Sequence, residues 1–155
     1  GDMVELQWKN FNAVDNRITK VIRKTGRQHS FKLGSLAIEI LNKYKTDSNQ
    51  PEDFIFPLLE YSDQYFKDNF FRTRETERHN ALCNFHLNNF GKTLELPFSL
   101  SFHLSRHTFA TRALNNGMRI EHVSKLMDHS GIGITQVYAK IINEELDKAV
   151  DEYIG

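Results

Sequence analysis

SFHLSRHTFATRALNNGM, residues 101–118, is the stretch on which the reading of this chain turns. Spacings of three and four place His103, Arg106 and His107 side by side on the opening turns of one helix. Phe109, Ala110, Ala113 and Leu114 make the opposite, apolar face that anchors it, and Gly117 ends it. A helix that only filled a core would not need three such side chains at its N-terminal end, where backbone amides favour an anion. Arg106 offers a planar fork matched to a phosphate, and a histidine gives or takes a proton near neutral pH. Three readings compete at this point. One histidine is a satisfied core residue and Arg106 lies on the surface; or the histidines at i and i+4 share a zinc ion; or the trio binds phosphate. Zinc lacks the glutamate of an HExxH motif and needs Asp128, His129 or Cys83 to converge as further ligands, so it ranks last.

Outward from this helix, the 155 residues are one domain's worth of chain, long enough to bury a core. No apolar run approaches the roughly 20 residues of a membrane span, and no secretory signal opens the sequence. With Cys83 alone there is no internal disulfide and no CxxC, which points to a reducing, cytoplasmic setting. GDMVELQW begins without methionine and already shows helical spacing. The chain therefore reads as a piece of a longer protein that starts within a helix, with Gly1 resembling a cloning scar. Formal net charge is zero, but residues 144–155 carry five acids against Lys148, leaving 19 basic and 15 acidic residues before them. Lys20, Arg23, Lys24, Arg27 and Lys32 cluster, as do Arg72, Arg74 and Arg78. Such patches can meet phosphates in a neutral chain, although solvated charge is the simpler account of either one alone.

The predicted elements are mainly α with a small antiparallel β-sheet. NRITKVIR (16–23) and QHSFKL (28–33) flank a turn near Gly26 and form a hairpin. Ser35 caps a helix with the apolar set Leu36, Ile40, Leu41 and Tyr44. A loop and a short extended segment stopped by Pro57 lead to helices over 63–71 and on to Gly91. Three more helices are expected near 103–116, 119–127 and 131–141, the second with Ile120, Val123, Leu126 and Met127 on one face, followed by an acidic helix over 143–154.

LMDHSGIGITQVYAKI (126–141) decides between the readings of the first helix. His129 is followed nine residues later by Tyr138, with glycines at 131 and 133 between them. A phenol has a free pKa of about 10 and is a competent nucleophile when neighbouring arginine and histidine lower the cost of its phenolate. One tyrosine of five says little alone; the combination carries the argument. HLSRHTFATRAL followed by LMDHSGIGITQVYAKI resembles the catalytic domain of the tyrosine recombinases, the phage integrase family. The family signature is H-x-x-R, then a histidine or tryptophan in an L-G-H context, then a nucleophilic tyrosine about nine residues on. GDMVELQWKNFN is similar to the segment after the family's first catalytic arginine, and VIRKTGRQHSFKL to the hairpin that carries its catalytic lysine. Residues 45–98 match only loosely.

The resemblance implies the fold and the roles. Tyr138 is the nucleophile that forms a 3′-phosphotyrosine. Arg106 holds non-bridging oxygens of the scissile phosphate, His129 hydrogen-bonds the same phosphate, and His103 assists proton transfer at the tyrosine. Lys24 protonates the 5′-oxygen leaving group. Arg23, Arg27 and His107 are candidate DNA contacts, His107 more plausibly supporting the helix than reacting. No cofactor or metal is implied, because a phosphotyrosine preserves the energy of the broken bond. The implied partner is double-stranded DNA, with a tetramer on DNA for the full-length protein, a monomer for this fragment, and no membrane. The implied activity is site-specific recombination, as in the integrase of a mobile element.

Residues 1–155 then form a single catalytic-domain fragment lacking the family's N-terminal DNA-binding domain. Its first catalytic arginine is expected just before Gly1, so the fragment alone is expected to be nearly inactive. Asp128 stands where the family has glycine and Ile134 where it has threonine. The former leaves room for a degenerate, non-catalytic DNA-binding module of the same ancestry. Residues 103–138 also pass for a helix-turn-helix, although Arg119, Glu121, His122 and Lys125 offer few base-reading donors. Lys24-Thr25-Gly26 matches the KTG of penicillin-binding enzymes, but no S-x-x-K accompanies it. The apolar set Leu146, Ala149, Val150 and Tyr153 of the last helix suits packing on its own domain or on a neighbouring protomer.

Overall fold

The computed structural model describes residues 1–153, without the side chains of 141–146, 148, 149 and 153. The chain is mostly helical with one three-stranded antiparallel sheet. It divides into two compact units, residues 1–86 and 87–155.

In the first unit, β1 (Phe11–Asn12), β2 (Arg17–Val21) and β3 (Gln28–Lys32) pair in sequence order, with Ile18 facing both Phe11 and Phe31. The β2–β3 hairpin is the predicted one. Gly26, at φ +67°, supplies the left-handed residue that its turn needs. β1 was not predicted, since two residues are too few to show alternation. The opening residues make overlapping hydrogen-bonded turns, with the Glu5 N–H donating to the Gly1 carbonyl and the Leu6 N–H to the Met3 carbonyl, and not the expected helix.

Helix α1 (Ser35–Asn42) is capped at Gly34, so Ser35 is its first residue and not its cap. Only Leu41 of the predicted apolar set is buried; Leu36, Ile40 and Tyr44 are exposed. Ser62 caps α2 (Asp63–Lys67) by accepting the Tyr65 N–H. Asp68 then separates it from α3 (Asn69–Thr93) and accepts the N–H groups of Phe70 and Phe71. Gly91 does not stop α3: the helix runs two residues past it, and Gly91 is where Leu100 packs closely. Val4, Ile18, Leu41, Ile55 and Tyr65 are the buried apolar residues of this unit.

The second unit holds the end of α3 with α4 (Phe102–Asn115), α5 (Ile120–Leu126) and α6 (Ile132–Tyr153). Ser101 caps α4 by accepting the Leu104 N–H. Helices α4 and α5 end in the same device. The Met118 N–H bonds to the Ala113 carbonyl and Gly117 to Leu114; likewise His129 bonds to Ser124 and Asp128 to Lys125. Gly117 (φ +81°) fills the left-handed position in the first, Asp128 (φ +51°) in the second. Asp128 thus takes at the end of α5 the left-handed position that Gly117 takes at the end of α4. The two helices predicted over 131–141 and 143–154 are one, because nothing near Asn143 breaks the ladder. Ala110, Ala113, Val123, Met127 and Tyr138 form the core, with Leu114 against it. Phe109, predicted to anchor α4, is exposed instead. Of the last helix's predicted apolar set, the side chains of Leu146, Ala149 and Tyr153 lie outside the described residues, and Val150 is exposed.

Candidate active site

Every sequence-predicted site residue except Lys24, Arg23 and Arg27 falls in the second unit, on α4, α6 and the turn after α5. Their geometry follows from the helix ends. Capping by Ser101 sets the first turn of α4, so His103, Arg106 and His107 project from its start. The left-handed Asp128 reverses the chain after α5 and delivers His129 in the next position.

Two groups of contacts result. In the first, the Tyr138 hydroxyl lies 2.8 Å from His107 Nδ1, and the rings are tilted with centroids 5.5 Å apart. The His103 ring meets His107 edge-on at 5.0 Å. Tyr138 itself is only 8% exposed, because its ring belongs to the core. In the second group, Arg106 Nη2 donates to the Met127 carbonyl at the end of α5, and His129 Nδ1 lies 2.8 Å from Thr135 Oγ1 on α6. One N–H of the Arg106 fork is thereby fixed to the backbone, and the rest of the fork can still meet an anion. Burial holds His129 below the usual imidazole range; the Arg106 charge adds to this, and Asp128 opposes it without cancelling it. A neutral His129 is suited to hydrogen-bonding without adding a second cation beside Arg106.

An open groove of about 530 Å³ runs along α4, lined by Leu104, His107, Thr108, Thr111, Arg112 and Asn115. His107 therefore sits between the phenol on one side and open space on the other. Three contacts were not visible in the sequence: His107 as partner of Tyr138, Thr135 as partner of His129, and the Met127 carbonyl as acceptor for Arg106. Each joins residues from different elements, and no spacing signals such pairs.

The basic clusters are partly turned inward. Glu5, 3% exposed, accepts from Arg72 Nε at 2.6 Å, from the Tyr65 hydroxyl at 2.8 Å and from Arg23 Nη1 at 3.4 Å. Arg23 also reaches Thr73 Oγ1, and Lys20 Nζ donates to the Glu5 carbonyl. Arg74 and Arg78 pair with Glu75. Arg23 is thus held within its own unit, while Lys24 and Arg27 stay exposed in the hairpin turn. Among the described residues, no group of three His, Cys, Asp or Glu side chains is placed to hold a metal ion. The exposed face of α5 consists of Arg119, Glu121, His122 and Lys125, and Arg119 is paired with Glu121.

Comparison with known proteins decides the ancestry. The model of the phage integrase family matches residues 1–145. The chain belongs to the phage integrase family. It is 26% identical over 148 residues to a tyrosine recombinase XerC of Pediococcus pentosaceus, covering 96% of this chain and 47% of the relative. It is 28% identical over 135 residues to a tyrosine recombinase XerD of Pseudomonas aeruginosa, covering 83% of this chain and 41% of the relative. The chain of this family member thus spans less than half the length of these two relatives. Its fold matches a crystal structure of XerA recombinase with a TM-score of 0.65 at 17% identity, over 100% of this chain and 53% of the other.

Proposed function

We propose that this integrase-family chain carries the strand-cleaving centre of a site-specific DNA recombinase that works through a tyrosine nucleophile, and that the parent protein is the integrase of a mobile element. The observation that carries the reading is the placement of Tyr138 beside a histidine of α4, in the same small helical unit as Arg106 and His129. Phosphoryl transfer depends on positioning and charge stabilisation, and these residue types supply both. Tyr138 attacks phosphorus and forms a 3′-phosphotyrosine. Arg106 and a neutral His129 hold the non-bridging oxygens as negative charge shifts, and His103 assists proton transfer at the phenol. Lys24, exposed at its hairpin tip, protonates the departing 5′-oxygen. The reaction needs no cofactor, since rejoining the strand reverses the same step.

The partner is double-stranded DNA, bound in a cytoplasmic protein that assembles as a tetramer. No described helix is long and apolar enough to cross a membrane. Residues 1–155 constitute one catalytic domain of this enzyme.

The test is adduct formation by the full-length protein on a nicked suicide substrate carrying the element's end, run in EDTA on a denaturing gel. A covalent adduct that survives EDTA and vanishes in Tyr138→Phe supports the reading. DNA binding with no adduct from wild type would replace it with a non-catalytic DNA-binding module.

A further inference from the structure

Among the residues of α4, the one whose ring touches the reacting atom of the nucleophile is His107. From this geometry we infer that His107 is itself a catalytic residue, the acceptor of the Tyr138 proton during strand cleavage. The inference rests on the reading of Tyr138 as the nucleophile and deepens it.

Three observations carry it. His107 Nδ1 and Tyr138 Oη are 2.8 Å apart, within the reach a general base requires of the proton it abstracts. The phenol ring is locked in the core among Ala110, Ala113, Val123 and Met127, so its oxygen is held at that nitrogen by packing. His107 also lines the open groove along α4, so its ring has open space on the side away from the core. His103, one helical turn earlier, meets His107 edge-on and not Tyr138, so its influence on the phenol passes through the neighbouring ring.

The step balances. As the Tyr138 Oη–phosphorus bond forms, the phenol proton moves to His107 Nδ1 and the phosphorus–O5′ bond breaks. O5′ leaves with a proton from Lys24. The products are a 3′-phosphotyrosine, a 5′-hydroxyl, an imidazolium at His107 and a neutral Lys24. Rejoining returns both protons. The acceptor role requires His107 to carry its own proton on Nε2 in the resting state. The titratable and charged groups facing its ring are His103 on α4 and Tyr138 on α6, with Arg106 adjacent in sequence and Arg112 along the groove.

His107→Asn separates proton transfer from positioning, because the asparagine amide sits near the place of Nδ1 and accepts a hydrogen bond but takes no proton. With the full-length protein and the suicide substrate, His107→Asn is assayed at protein concentrations that saturate the DNA, so that any loss of binding is separated from the chemical step. It should form adduct about 100-fold more slowly or worse, and the acidic limb of the pH–rate profile should disappear. A substrate with sulfur at the 5′-bridging position has a leaving group that needs no proton. On it, Lys24→Ala should recover wild-type rate and His107→Asn should not. The inference is overturned if His107→Asn keeps the wild-type rate, if it is slow with the acidic limb intact, or if the limb vanishes in His103→Asn or His129→Asn instead. An adduct persisting in Tyr138→Phe would refute the underlying reading of the nucleophile, which the His107 results alone would not.

Discussion

Replacing Glu5 by glutamine removes one negative charge from the interior of the first unit and leaves its shape nearly unchanged. Glu5 Oε1 receives two close hydrogen bonds, from Arg72 Nε at 2.6 Å and the Tyr65 hydroxyl at 2.8 Å, with Arg23 and Thr76 at 3.4 Å. A bond to a charged group contributes about 1.5–3 kcal/mol and a neutral one about 0.5–1.5 kcal/mol; the Tyr65 bond becomes neutral, and Arg72 keeps one hydrogen bond but loses its counter-charge, so the change costs about 2–3 kcal/mol. Arg72 is 26% exposed, and solvent keeps the loss from growing further. For a chain of this size each kcal/mol moves the melting temperature by about 2–4 °C, which gives a drop of roughly 5–10 °C. Glu5→Leu, which leaves Arg72 without counter-charge or acceptor, should cost about 3–5 kcal/mol.

The pH dependence is the sharper test. Burial pushes the Glu5 carboxyl up, but hydrogen bonds from Arg72 and Tyr65 and the charges of Arg72 and Lys20 outweigh it, and its folded pKa lies below the ordinary 4.5. A depressed folded pKa means that the contribution is complete above pH 4.5 and is lost as the pH falls through the folded value. Thermal melts followed by circular dichroism should therefore show a wild-type advantage over Glu5→Gln at pH 7 that closes in strong acid, where a protonated Glu5 resembles glutamine. An advantage that is absent at pH 7, or unchanged from pH 7 to pH 2, would refute the reasoning.

Val123 is fully buried in the core of the second unit, and Val123→Ala should lower unfolding free energy by about 2 kcal/mol in urea titrations. Asp128→Gly should raise it by about 0.5 kcal/mol, since the left-handed backbone at φ +51° suits glycine better, measured the same way. His129 has a folded pKa below the usual 6.5, so its part of the stability is complete above that value and is lost as the pH falls through the folded one. Melts between pH 8 and pH 5 should show a decline that is shallower in His129→Gln than in wild type.

The hairpin, α4 and α5 were legible because each rests on local signals. These are the turn glycine Gly26, the helix-ending Gly117, and apolar residues at helical spacing in Ile120, Val123, Leu126 and Met127. Predicted boundaries failed where a local signal competed with packing. Gly91 looked like a stop but lies inside α3 against Leu100, and Ser35 looked like a cap but Gly34 holds that position. Leu36 and Ile40 have the spacing of a buried face and remain exposed, because periodicity states which residues share a face and not what covers it.

The sequence by itself determined the ancestry of the chain and the residue types of its candidate site, since the order and spacing of His103, Arg106, His129 and Tyr138 are properties of a line of letters. Only the tertiary structure decided the pairings. That His107 and not His103 meets the phenol, that Thr135 meets His129, and that an acid next to Val4 is the buried centre of Arg72, Tyr65 and Arg23 depend on which helices pass each other and at what rotation. Residues tens of positions apart carry no mutual signal in one sequence. They become partners because burial leaves a polar group no solvent to bond, and the packed chain must supply the partner itself.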